Sequence, residues 1–399
     1  RDELSLTPDG KTLAVIDRGK TIRVLDVASG EERQHFPEPE ELLGLRLTPD
    51  GRSLIAWSGD LKVRVWDTMS GRKLREYPLP RAGEEDGSRT VNERYNAALS
   101  PDGRLLAMGP VDHRILRNAE EASKPKKGSL ILKDLATGRI VRRIDNLPSE
   151  AGLLAFSPDG RTLAWTGFGD NNAIRLLEVA SGRERRHLAG HRGQVTALAF
   201  SADGRRLLSG SNDTTALVWD LAGRSPATLT AEKVETLWVD LVSEDAARAY
   251  RAIHQLAAAP DVSVPFLRKR LRPVPAVDEK RLARLIADLD SDDFATRQKA
   301  TAELAKLADQ PIAAYRKALE SKPSIETRKR LEELLEKAGP AWWDVSGERL
   351  RSLRAVEAVE LAGTQEAREA LTTLAAGAPG ARLTEQAKAA LERLTTGRR

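Results

Sequence analysis

Three side-chain types that can build a hydrolytic site fall in one stretch, His187 to Asp220: His191, Ser209 and Asp213. A serine beside a histidine is a nucleophile beside its base, and an aspartate can orient that base. The setting does not support such a site. No strained Gly-x-Ser-x-Gly elbow surrounds Ser209, and no donors for an oxyanion can be picked out. Five histidines (His35, His113, His187, His191, His254) are scattered without the paired spacing of a metal site. Asp170, Asn171 and Asn172 follow Gly169 and could attract calcium, but such a cluster reads better as a turn. No Gly-rich loop followed by Lys-Ser or Lys-Thr is present to cradle a phosphate. The chain has no cysteine, which excludes disulfides, thiolate ligands and thiol nucleophiles but does not fix a compartment. The reading is therefore of no catalytic residue, no metal site and no cofactor.

The elements that carry these residues belong to a long chain. Its 399 residues exceed one ordinary core, so two domains or a repeat array are expected. With 40% apolar, 31% charged and only 4% aromatic residues, the core must be mostly Leu, Val, Ile and Ala. The net charge of +5 comes from 64 basic and 59 acidic residues that are interleaved nearly everywhere. A solvated surface explains that pattern better than nucleic-acid binding, which concentrates charge on one face. No apolar run approaches the roughly 18–20 residues that cross a bilayer. The chain starts at Arg1 with Leu4 already in a strand, so a true N-terminus further upstream is expected. A cytoplasmic location is weakly favoured, and oligomeric state is open.

One pattern recurs five times: LSLTPDGKTLA (4–14), LRLTPDGRSLIA (45–56), ALSPDGRLLA (98–107), LAFSPDGRTLA (154–164) and LAFSADGRRLL (198–208). A second follows each: IRVLDVASG (22–30), VRVWDTMSG (63–71), LILKDLATG (130–138), IRLLEVASG (174–182) and ALVWDLAG (216–223). The turn glycines Gly10, Gly51, Gly103, Gly160 and Gly204 are 41, 52, 57 and 44 residues apart, a period near 41–44 with insertions. Pro-Asp-Gly is a turn because Pro presets φ and Gly accepts a positive one. Ser-Gly or Thr-Gly marks a second hairpin. Four short antiparallel strands per unit, repeated radially, make propeller blades.

These units resemble the WD-repeat family of β-propellers. Gly190-His191 and Trp219-Asp220 are its signature pair, and Trp66-Asp67 repeats the second half. Elsewhere Leu25, Lys133 and Leu177 replace the Trp, and units one to four lack Gly-His. The resemblance implies a hydrogen-bonded structural tetrad of His191, Ser209, Asp213 and Trp219. In the second unit only Asp60 and Trp66 remain, and Ala56 takes the Ser position. Five visible units leave closure open. An N-terminally incomplete ring, or one completed by upstream sequence, is favoured over a closed ring of five.

After about residue 230 the period turns helical. The predicted boundaries are a propeller over 1–230 and an α-helical domain over 231–399. Thr230 can cap AEKVETLWVDLV, and Ala249, Ile253 and Leu256 share one face of the next helix. Pro260 and Pro265 punctuate a helix ending at Leu271, and RPVPAVDEK is a linker. Helices are predicted at about 279–290, 293–308, 311–320, 324–337, 347–362, 364–376 and 383–395. Ser291-Asp292-Asp293 is a cap. Segments 292–319 and 348–374 look alike and resemble HEAT-like helix pairs that stack into an α-solenoid, as in bacterial WD-repeat proteins with a helical C-terminal extension. A single irregular helical domain is the alternative. RKRLR (268–272) reads as helix-dipole complement or as an anion or nucleic-acid contact. Trp342-Trp343 reads as packing at a seam or a partner anchor.

The long insertions fall on one face of the propeller. Residues 79–94 join the second and third units, and 109–128 lie within the third. Repeat proteins concentrate insertions where they bind. The candidate partner-binding residues are Glu84, Glu85, Asp86, Arg89, His113, Arg114, Lys124, Lys126, Lys127 and Asp170. The sequence thus points to a non-enzymatic scaffold for a protein or peptide partner. The rivals are a propeller hydrolase or lyase with a site in the central channel, and a sensory or regulatory module of a longer protein.

Overall fold

The computed structural model describes residues 4–17, 21–37, 40–79, 93–112, 127–167, 172–222, 229–307, 312–321, 323–337 and 347–396. Two compact units divide the chain, Arg1–Leu221 and Ala222–Arg399.

The first unit holds five antiparallel sheets in chain order. Sheet one contains β1 (Leu4–Leu6), β2 (Thr12–Asp17), β3 (Thr21–Asp26) and β4 (Glu32–Pro37). Sheet two contains β5 (Leu42–Leu47), β6 (Ser53–Ser58), β7 (Lys62–Asp67) and β8 (Lys73–Pro78). Sheet three contains β9 (Glu93–Leu99), β10 (Leu105–Asp112), β11 (Gly128–Asp134) and β12 (Ile140–Leu147). Sheet four contains β13 (Ala151–Phe156), β14 (Thr162–Gly167), β15 (Ile174–Glu178) and β16 (Glu184–Leu188). Sheet five has β17 (Val195–Phe200), β18 (Arg206–Ser211) and β19 (Ala216–Asp220). The strand predicted after it falls largely on 223–228, outside the described residues.

The same turn chemistry shapes all five sheets. In each Asp-Gly turn a Ser or Thr hydroxyl donates to the Asp two residues on: Thr7 to Asp9, Thr48 to Asp50, Ser100 to Asp102, Ser157 to Asp159 and Ser201 to Asp203. The same hydroxyl accepts the backbone N–H five residues later at 2.8–3.0 Å. Gly10 ends the first of these turns at φ +71° and Gly30 the second kind at φ +72°, where a side chain would be strained.

Sheets stack face to face through their apolar sides. Ala14, Ile22, Val24 and Phe36 of sheet one pack against Leu45, Leu54, Ala56 and Trp66 of sheet two. Ile55, Trp57, Val63 and Val65 on the other side of sheet two meet Tyr95, Ala97, Leu106 and Met108 of sheet three. Gly44 gives Trp57 its space, since a Cβ there would lie 2.2 Å from the indole. The end faces are open: Leu4 and Leu6 are 60% and 52% exposed, and Leu208 and Val218 46% and 63%.

The second unit is helical, with α1 (Ala231–Asp240), α2 (Ala246–Ala258), α3 (Pro260–Arg270), α4 (Glu279–Asp288), α5 (Phe294–Lys306), α6 (Ile312–Glu320), α7 (Ile325–Lys337), α8 (Gly347–Ala362), α9 (Gln365–Ala375) and α10 (Arg382–Thr396). Thr230 caps α1 by accepting from Lys233 N, and Asp245 and Asp293 cap α2 and α5. The helices do not stack in chain order. α1 to α3 share one core with α8 to α10, where Val234, Leu237, Ile253 and Leu256 meet Val356, Val359 and Leu371. α4 to α7 enclose another, around Leu289, Leu304, Tyr315 and Leu331. Arg354 of α8 is buried and donates to the carbonyls of Leu241 (2.7 Å) and Ser243 (2.8 Å), closing the C-terminal end of α1.

Candidate functional site

His191 lies in the turn before β17, Ser209 in β18, Asp213 in the β18–β19 turn and Trp219 in β19. The four side chains meet. Trp219 Nε1 donates to Ser209 Oγ at 2.8 Å, and Ser209 Oγ lies 2.7 Å from His191 Nε2. His191 Nδ1 faces Thr215 Oγ1 at 3.1 Å and Asp213 Oδ2 at 3.3 Å. The indole can only donate, so the serine oxygen accepts from it. The Thr215 hydroxyl gives its proton to Asp213 Oδ1 at 2.6 Å, so its oxygen faces His191 Nδ1 as an acceptor. Asp213 also accepts the backbone N–H of Arg192 (2.6 Å) and of Thr215 (2.9 Å). The Thr215 hydroxyl, the amides of Arg192 and Thr215, and His191 hold its carboxyl well below the usual carboxylate range, against desolvation.

The order of groups, Ser to His to Asp, is that of a hydrolase triad. Access differs. Ser209 and His191 are buried, and the indole N–H occupies the serine oxygen that would attack. The cluster is a closed network joining two strands and two turns.

Residues 182–220 match the family described as WD domain, G-beta repeat. No curated protein matches the chain. The N-terminal unit is a WD-repeat propeller array. The matched span opens with β16, the outer strand of sheet four, and ends with β19 of sheet five. The matched repeat is thus out of phase with its blade by one strand and ties the fourth blade to the fifth.

The other WD-repeat blades use different polar groups. In the second, Ala56 stands where Ser209 does, and Arg64 opposite it takes over. Its guanidinium donates to Ser58 Oγ at 2.6 Å, pairs with Asp60 and reaches Glu76 at 3.2 Å. In the fourth, Arg185 donates to Glu178 at 3.0 Å and to Thr162 Oγ1 at 2.9 Å, with both charged side chains 2% exposed. The first repeats that set at the surface with Arg33, Asp26 and Thr12.

A further set links neighbouring blades. Outer-strand Gln34, Arg75, Arg142 and Arg186 each stand eight residues after the acid that ends the third strand. Each donates to a carbonyl of the next blade: Met69 O, Leu135 O, Ser181 O with Ala180 O, and Asp220 O, at 2.8–3.2 Å. Tyr77 Oη joins Arg75 on Leu135 O at 3.1 Å. This spacing is visible in the sequence and had signalled nothing by composition alone.

Of the predicted partner-binding residues, Glu84, Glu85, Asp86, Arg89, His113, Arg114, Lys124, Lys126 and Asp170 lie outside the described residues, as do Trp342 and Trp343. Lys127 is exposed at the start of β11, and its Nζ reaches Asn146 Oδ1 at 3.3 Å. Among the described residues, no group of three or more His, Asp or Glu could hold a metal ion. No helix among them is long and apolar enough to cross a membrane.

Proposed function

We propose that this protein is a non-enzymatic scaffold that presents a propeller face and a helical surface to protein or peptide partners. One observation carries the reading. Its Ser-His-Asp set, the arrangement nearest to a catalytic one, is closed on itself by Trp219 and Thr215. We take His191, Ser209, Asp213 and Trp219 as the structural lock of the last blade. WD repeats generally mediate protein–protein interaction, which supports the same conclusion. The partner face is the one that carries the insertions at 79–94 and 109–128. The helix pairs α5–α6 and α8–α9 are read as HEAT-like surfaces.

The test uses the full chain as bait. Residues 113–126 are replaced by a Gly-Ser linker of equal length, and captured proteins are compared by quantitative mass spectrometry. Loss of specific partners, with the thermal melt unchanged, is the expected outcome. An identical set captured by both forms would refute the insertion face as the partner site.

A further inference from the structure

We propose a second site, in the helical unit: a pocket at the end of α3 that binds an acidic peptide through an apolar anchor residue flanked by carboxylates. It rests on the scaffold reading only in taking the ligand to be a peptide. The pocket has a volume of about 510 Å³ and is walled by the end of α3, the segment after it, α8 and α9. That volume lies in the range of ligand pockets. Leu271, Val359, Ala370 and Leu374 make the floor, and Arg268, Lys269, Arg272 and Thr373 the exposed rim.

Three exposed cations crowd the rim of this one pocket. Several basic side chains of this unit hold acids: Arg248 with Asp240, Arg281 with Glu303, Arg330 with Glu326 and Arg393 with Glu360. Arg270, in the same basic run, stacks on Phe266 at 4.4 Å and pairs with Glu235. Arg268, Lys269 and Arg272 have no acidic or hydrogen-bonded partner among the described residues. The negative end of α3 accounts for only about half a charge. Arg272 does not serve it, since Leu271 at ψ 118° has already left the helix. On the facing helices Glu360 holds Arg393 in two hydrogen bonds, and Glu369 accepts from Gln365. Three cations around an apolar floor match a peptide with carboxylates on either side of a Leu or Ile. Nucleic acid fits less well, because no aromatic ring lines the pocket on which a base could stack.

The test is fluorescence polarisation on the full chain with a labelled Glu-Asp-Glu-Leu-Glu-Asp-Glu peptide, its all-Lys counterpart and a single-stranded oligonucleotide. One variant is Arg268→Glu with Arg272→Glu. A second, Thr373→Trp, fills the mouth from an exposed position without changing charge. The acidic peptide is expected to bind, more weakly as salt rises, and to lose roughly tenfold or more in each variant while the thermal melt is kept. The Lys peptide is expected not to bind. No binding of the acidic peptide up to about 1 mM, equal binding to wild type and both variants, or tighter binding of the oligonucleotide would overturn the proposal. None of these outcomes touches the insertion-face capture experiment, whose residues lie in the other unit.

Discussion

Replacing Arg185 by leucine removes one half of a charge pair that has almost no contact with water. Arg185 and Glu178 are each 2% exposed, and the guanidinium also holds Thr162 Oγ1. The Glu178 carboxylate still accepts from the Ser181 hydroxyl. Breaking a buried pair from one side costs about 3–5 kcal/mol, because the remaining charge stays desolvated. Removing both charges is different. Arg185→Leu combined with Glu178→Leu leaves no stranded ion, and such replacements fall within about 1–2 kcal/mol of neutral. The double variant is therefore expected to be more stable than the single one. Arg33→Leu in the first blade is the internal control. Its side chain is 41% exposed, so water screens the loss and the change should be a small fraction of that at Arg185.

The assay must report on this unit alone, since a whole-chain melt mixes two units and is not two-state. Native-state hydrogen exchange with mass spectrometry, read on the amides of β14 and β15, gives the opening free energy of the fourth blade. A change below about 1 kcal/mol for Arg185→Leu, or a double variant as unstable as the single, would refute the reasoning.

Ser209→Ala strands the Trp219 N–H and His191 Nε2, each a cost of about 1–3 kcal/mol, so exchange in β18 and β19 should show a loss of about 2–4 kcal/mol; an effect under about 1 kcal/mol would contradict the lock. Stability should also depend on acid. Asp26 is lowered to about 2 by the backbone N–H of Ser29 and then Arg33, and Glu76 to about 2 by Lys62 and Lys73. Both are depressed carboxylates, so their contribution is present above the unfolded pKa near 4 and is lost as pH falls towards about 2. A propeller melting temperature that is flat from pH 5 to 2 would rule this out, and Asp26→Asn with Glu76→Gln should flatten the wild-type slope.

The turns were legible because few residues tolerate them. Pro-Asp-Gly and Ser-Gly announce positive φ, and the structure places Gly10, Gly51, Gly103, Gly160 and Gly204 at φ of 68° to 71°. The four side chains of the last blade could be named because that unit keeps its Gly-His and Trp-Asp. What stayed hidden depended on register. Between Leu176 and Leu177 the β15–β16 pairing shifts, so that Leu176 opposes Arg186 while Leu177 opposes Glu184. Arg185 is the extra residue of a bulge, and a bulge re-aims its side chain. Arg33 occupies the same place between Gln34 and Glu32. A reading by strict alternation puts these arginines on the wrong face. Arg64 was missed for a different reason, since its counterpart in the best-preserved unit is Leu217 and carries no polar signal. In the helical half, apolar stripes showed which face of each helix is buried. They could not show that α2 packs against α8, about a hundred residues on.

The bulge explains why the blades can differ and remain alike. Each outer hairpin among the first four sheets carries it, at Arg33, Leu74, Val141 and Arg185. Where it holds an arginine, the acid that ends the third strand has a partner, Asp26 or Glu178. Where it holds Leu74 or Val141, the acid still accepts backbone N–H groups of its own turn, Met69 and Ser70 for Asp67 and Ala136 and Thr137 for Asp134, as Asp26 does from Ala28 and Ser29. Asp67 and Asp134 are satisfied by their turns without a cation at the bulge, whereas the buried Glu178 relies on Arg185. The acids that end these third strands and the His191–Ser209–Trp219 set are committed to strands and turns. Arg268, Lys269 and Arg272 have no such commitment. An exposed cation without an internal partner stays hydrated and free to meet a ligand, and three of them beside one apolar floor concentrate charge there. That is the physical reason to look for a ligand there rather than among the blade serines and histidines.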